Sequence, residues 1–271
     1  MSFLGTVGSL FGWFQGHPQP PSMFTPSYED VCQARAIFRT LELPTELVLQ
    51  ILDHAQYWPR HVFATSPERP KIAAVHHGPR ASHAVLCLDV GIFENPTVNP
   101  ARKVGECPKV KSLEFNIVSR DQGWTSENTQ GTFNTSSWVE VSILRSADPN
   151  NTRLPGPRFA NALLGDPSDF HRSVSDQGWS LVKRPEAAKQ GPQDGEGDYS
   201  WFVQGNRVAA GRAEYHVVWA DDGSDGNEGA GRGEGFLHEL KDGDRIMVWA
   251  RAKVCLVQFV YHESTSERRW V

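Results

Sequence analysis

The chain has 271 residues, 39% of them hydrophobic, and carries 27 basic against 32 acidic side chains for a net charge of -5. That balance suits a folded chain with a substantial core and excludes a general nucleic-acid binder, because neutralising phosphates requires clustered Lys and Arg. Four cysteines, at 32, 87, 107 and 255, form no CxxC pair, so neither a disulfide framework nor a CxxC-type zinc site is expected. No run of about 18 apolar residues occurs and no basic stretch precedes residues 3–14, so neither a membrane span nor secretion is expected. An intracellular chain, cytoplasmic or nuclear, is the expectation.

Residues 1–27 are rich in Gly, Pro, Phe and Ser and show neither helical nor strand periodicity, which predicts a disordered tail. From Ser27 the pattern changes. Ser27-Tyr28-Glu29-Asp30 has the acidic first turn of a helix, and Val31, Ala34, Ile37 and Phe38 follow at helical spacing to about Thr40. A second helix is predicted from Pro44, whose missing N–H costs nothing at a helix start, with Leu47, Val48, Ile51 and Leu52 on one face and Pro59 as its stop.

Beyond residue 60 the apolar period becomes two. Leu113, Phe115 and Ile117 alternate with Glu114 and Asn116, and Val139, Val141 and Ile143 alternate with Glu140 and Ser142, as half-buried strands should. Residues 215–220, 245–252 and 254–261 read as further strands, and 84–90 as a weaker one. Short strands parted by turn residues, with no helix between them, predict an antiparallel β-sandwich or jelly roll over residues 61–271. The Gly-rich, polar stretches 184–197 and 221–235 are expected to leave it as mobile loops.

One internal repeat is visible. Ser119-Arg120-Asp121-Gln122-Gly123-Trp124 recurs as Val174-Ser175-Asp176-Gln177-Gly178-Trp179. Each copy is followed by a Gly, an aromatic residue and Ser-Trp: Gly131, Phe133 and Ser137-Trp138, then Gly197, Tyr199 and Ser200-Trp201. Two related β-hairpin units are expected. The motif supports two readings. In the first it is a turn, with Asp121 or Asp176 accepting backbone N–H bonds, Gly123 or Gly178 at positive φ, and Trp124 or Trp179 anchoring the turn on the sheet. In the second, Asp121, Gln122 and Trp124, and Asp176, Gln177 and Trp179, form a binding edge. Carboxylate and amide groups would bond sugar hydroxyls there while indoles stack on a sugar face, making the domain a lectin-like module for a glycan or other small ligand.

The stretch Leu43-Pro44-Thr45-Glu46-Leu47-Val48-Leu49-Gln50-Ile51-Leu52 resembles the opening of an F-box, the helical module by which substrate receptors dock on the Skp1 adaptor of cullin–RING ubiquitin ligases. The resemblance covers about twenty residues. It implies that Leu43, Pro44, Glu46, Leu47, Ile51 and Leu52 contact a Skp1-type adaptor, with a helix lying in an apolar groove. Departing from the F-box pattern, Pro59 and β-like chain follow where further helices would be. An alternative is that this helix packs its apolar face on the sheet domain and binds nothing. A broader resemblance extends over most of residues 28–262. Together with the Asp-Gln-Gly-Trp repeats, His54-Ala55-Gln56-Tyr57-Trp58 and Gly243-Asp244-Arg245-Ile246-Met247-Val248-Trp249-Ala250 resemble a family of uncharacterised filamentous-fungal F-box-like proteins, which implies a source but no activity.

Catalytic signatures are sparse. No GxSxG, HExxH, P-loop or kinase motif occurs, and His238-Glu239-Leu240-Lys241-Asp242 lacks the second His of a zincin. His83 and Cys87 sit on a strand-like segment, where residues four apart are far from each other. Asp221-Asp222-Gly223-Ser224-Asp225-Gly226-Asn227-Glu228 misses the ligand positions of a calcium loop. No cofactor and no metal are expected. The leading expectation is a non-enzymatic interaction protein, and an enzyme built on a jelly roll is the least supported class.

Overall fold

A computed structural model describes residues 24–64, 83–91, 109–121, 123–148, 167–188, 191, 197–252 and 268–270. The strand expected over 254–261 lies outside them, as do residues 1–23.

Ser27 starts the first helix, α1 (Tyr28–Thr40), through a reciprocal capping box. Its hydroxyl accepts from the Asp30 backbone N–H at 3.1 Å, and the Asp30 carboxylate accepts from the Ser27 N–H at 2.8 Å. These bonds hold the Asp30 carboxyl below its ordinary value. The second helix, α2 (Thr45–His54), has Pro44 at its N-cap with φ -55° and ψ 145°. The two helices share a small core of Val31, Val48, Leu52 and Trp58, against which Ala34, Phe38, Leu43 and Tyr57 pack. Only half of the apolar face expected on α2 is therefore covered. Val48 and Leu52 turn inward, whereas Leu47 and Ile51, one residue earlier on each turn and about 100° round the helix, are 46% and 39% exposed.

The β region contains two antiparallel sheets. In the larger, β1 (His83–Gly91) pairs with β8 (Arg245–Ala252), which pairs with β3 (Ser137–Ser146). On its far side β3 pairs with β4 (Trp179–Leu181) at one end and with β5 (Trp201–Gly205) at the other. Both run opposite to β3, so they form one edge strand interrupted by residues 182–200. The smaller sheet runs β7 (Gly223–Gly226), β6 (Ala213–Ala220), β2 (Val110–Ser119), with the three-residue β9 (Arg268–Trp270) on the β2 edge. Among the described residues no barrel closes.

One apolar core lies between the sheets. Leu113, Phe115 and Ile117 of β2 and Tyr215, Val217 and Trp219 of β6 meet Val139, Val141 and Ile143 of β3, Trp201 and Val203 of β5, and Ile246 and Ala250 of β8. Phe236 joins the two sides. Its ring lies 5.0 Å from Trp201, edge to face, and 5.3 Å from Trp219.

The outer face of the larger sheet is also covered. A helix not expected from the sequence, α3 (Pro167–Ser175), places Phe170 and Val174 against Leu144, Trp179, Leu181, Met247 and Trp249. Consequently β3 is not half-exposed: Glu140 and Ser142 are fully buried. Two of their oxygens accept hydrogen bonds and a third lies in an ion pair. The Trp138 indole N–H donates to Glu140 Oε2 at 2.9 Å, the Trp249 indole N–H donates to Ser142 Oγ at 3.2 Å, and Arg251 Nε lies 3.4 Å from Glu140 Oε1.

Residues 221–235 likewise belong to the fold. They supply β7 and then a strap that runs from Glu228 to Glu234 along β5 and β6. Gly205 and Gly231 N–H groups bond to the carbonyls of Gly229 and Val203, and the indoles of Trp219 and Trp201 donate to the Gly231 and Glu234 carbonyls at 2.8 and 3.0 Å. The glycines permit this approach: a Cβ on Gly231 would overlap the Phe202 carbonyl, and one on Gly233 the Trp219 ring.

Candidate functional site

The two Asp-Gln-Gly-Trp copies occupy different settings. In the first, chain leaving β2 brings Asp121 into a buried polar cluster. Asp121 Oδ1 accepts from the Ser137 hydroxyl at 2.7 Å and Oδ2 from the Ala209 N–H at 2.9 Å. Asn206 donates to Ser137 Oγ at 2.9 Å, and Ser119 donates to Asn206 Oδ1. The Arg207 N–H donates to Tyr215 Oη at 3.0 Å, and burial pushes that phenol above its ordinary value against the pull of this bond. The carboxylate that a sugar-binding edge requires is thus engaged inside the fold, tying residues 206–209 to the start of β3. Trp124 is 56% exposed, and Gln122 lies outside the described residues.

In the second copy the motif ends a helix. Ser175 closes α3, Asp176 and Gln177 are exposed, and the Gln177 side chain donates back to the Ser173 carbonyl at 3.2 Å. Trp179, only 3% exposed, starts β4 in the outer-face core. Gly123 and Gly178 both have positive φ, +90° and +75°, so the turn reading holds at the glycines. Ser137 and Ser146 mark the two copies' contacts with β3, nine residues apart, so the motifs stand about 30 Å from each other and form no common site. Apart from these turn glycines, the equivalence of the repeat survives only downstream. Gly131 and Gly197 are at positive φ, and buried Ser137-Trp138 and Ser200-Trp201 lead into the paired strands β3 and β5.

The Gly243-Asp244-Arg245 motif is a clamp on β8. Gly243 turns the chain at φ +86°, and the Asp244 carboxylate accepts from Arg145 Nε and Nη2 at 2.8 and 2.7 Å. This pairing raises the Arg145 guanidinium above its ordinary value. Arg245 Nε donates to Asp89 Oδ1 at 2.8 Å. The motif so fixes β8 between β3 and β1.

His238 and Glu239 lie on a four-residue helix, α4 (Phe236–Glu239), and Cys87 points into the core. Among the described residues, no group of three His, Cys, Asp or Glu side chains could hold a metal, and no helix is long and apolar enough to cross a membrane. Cys32 is a free thiol, and the Cys87 thiol donates to the Val85 carbonyl at 3.3 Å.

What stands out is the helical pair. Of the exposed large apolar side chains among the described residues, Ile37 at 57%, Leu41 at 64%, Leu47 at 46% and Ile51 at 39% belong to α1, α2 and the turn between them, and Phe24 and Val62 flank the pair. Trp124 is the one such residue outside it. Of the six F-box-like positions, Leu52 is buried in the helical core and Leu43 packs on it, while Pro44, Glu46, Leu47 and Ile51 face solvent. The sequence reading did not single out Leu41, and it placed Ile37 on the helical stripe with Val31, Ala34 and Phe38, whereas Ile37 stands in water. No family model, no curated protein and no solved structure matches this chain.

Proposed function

We propose that this chain is a non-enzymatic interaction protein whose helical pair docks a Skp1-type adaptor while the two-sheet domain, read as a β-sandwich, presents a recognition surface for a substrate of the ligase. The observation that carries this reading is the division of α2. Val48 and Leu52 are committed to the helical core, yet Leu47 and Ile51 remain in water at the i, i+4 spacing of helix-in-groove recognition. A helix that only covered its own core would have no use for a second apolar stripe.

The test is a pulldown of the intact chain with purified Skp1, using Leu47→Asp and Ile51→Asp as paired variants and circular dichroism to verify folding. Both positions are well exposed, so the variants should fold as the parent does. Loss of adaptor binding by at least about thirtyfold in each is expected for residues at the centre of an interface. Absence of binding by the parent chain overturns the reading.

A further inference from the structure

The exposed helical face has a candidate occupant within the chain itself. Residues 3–14 contain Phe3, Leu4, Val7, Leu10, Phe11, Trp13 and Phe14, and no Asp, Glu, Lys or Arg precedes Glu29. This is the reverse of the polar, charged composition that keeps a segment in solution.

The point of entry is on the helical pair. The Phe24 ring stacks on Tyr57, with centroids 6.1 Å apart, and Tyr57 packs on the Val48–Leu52 core. The length of residues 15–23 allows a span of at most about 30 Å, and the 13-residue α1 is about 20 Å long. Every part of the pair is therefore within reach. Both surfaces are apolar, and tethering supplies the high local concentration that a weak contact needs.

We infer that residues 3–14 bind the face formed by Ile37, Leu41, Leu47 and Ile51 in the same molecule, so that the chain's own N-terminal segment competes with the adaptor for that face. The competition rests on the reading given under Proposed function, whereas the intramolecular contact does not.

The experiment compares the full chain with its Leu10→Ser/Phe14→Ser double variant, following hydrogen exchange in peptides covering residues 36–53 and, separately, binding of purified Skp1. Exchange about tenfold faster in the variant, with tighter adaptor binding, is expected. Faster exchange with no adaptor binding by either protein upholds the contact and removes the adaptor. Unchanged exchange overturns the inference whatever the adaptor does. Protection that grows with protein concentration would assign the segment to a second copy, and overturns it too.

Discussion

Tyr215 shows how a single buried group reports on the polar cluster around Asp121. Its phenol is desolvated at the end of β6 while its oxygen accepts from the Arg207 N–H. The folded-state value is raised above that of the free side chain, so its contribution to stability is complete below about pH 10 and is lost as pH rises through the folded value. Urea unfolding at pH 8 and pH 10.5 should show a steeper loss for the parent chain than for Tyr215→Phe. Equal slopes would mean that the hydroxyl is solvated. At this scale the sequence was least legible. The string Asp-Gln-Gly-Trp occurs twice, yet one Asp is 5% exposed with both oxygens bonded inside, and the other stands in water at a helix end. Six residues set the turn glycine, and the neighbours bonded to the buried carboxylate, Ser137 and Ala209, come from 16 and 88 positions further along the chain.

Elements with one covered face were legible because alternation or helical spacing records that face directly: α1, α2, β2 and β6 fall where the pattern places them. Elements covered twice were legible in position but not in their second cover: β1, β3 and β8 fall where the pattern places them, yet it does not record what lies on the outer face. β3 alternates apolar and polar residues yet has both faces buried, since α3 lies over its second face and Glu140 and Ser142 accept from the indoles of Trp138 and Trp249. The signs of α3 were present, with Pro at its start, Asp169 in the first turn and Phe170 and Val174 one turn apart, but it overlaps the repeat. The strap of residues 228–234 was misread because glycine richness has two causes, freedom of the chain and closeness of approach. Gly233→Ala separates them. A Cβ there meets the Trp219 ring at a backbone φ of +62°, so destabilisation of about 3 kcal/mol or more is expected in thermal unfolding. A change below about 0.5 kcal/mol would restore the loop reading.

In the whole molecule, β8 joins the parts. It lies between β1 and β3, and its residues reach the core on one side and the cluster under α3 on the other. Its first residues are clamped by Arg145 and Asp89, drawn from both neighbouring strands. A chain ending at residue 244 should therefore lack the larger sheet while keeping α1 and α2 helical, giving a far-ultraviolet spectrum with helical signal and little strand. Retention of native strand content would show that β1 and β3 pair without β8. The register carries this into biosynthesis. His83 faces Ala252 and Ser137 faces the same residue from the other side, so β1, made early in translation, has no strand partner in the sheet, and β3 is paired with β4 and β5 on one edge alone, until residue 252 has left the ribosome. Throughout that interval β1 and the second edge of β3 are open to other chains, and completion of the sheet falls to one late segment.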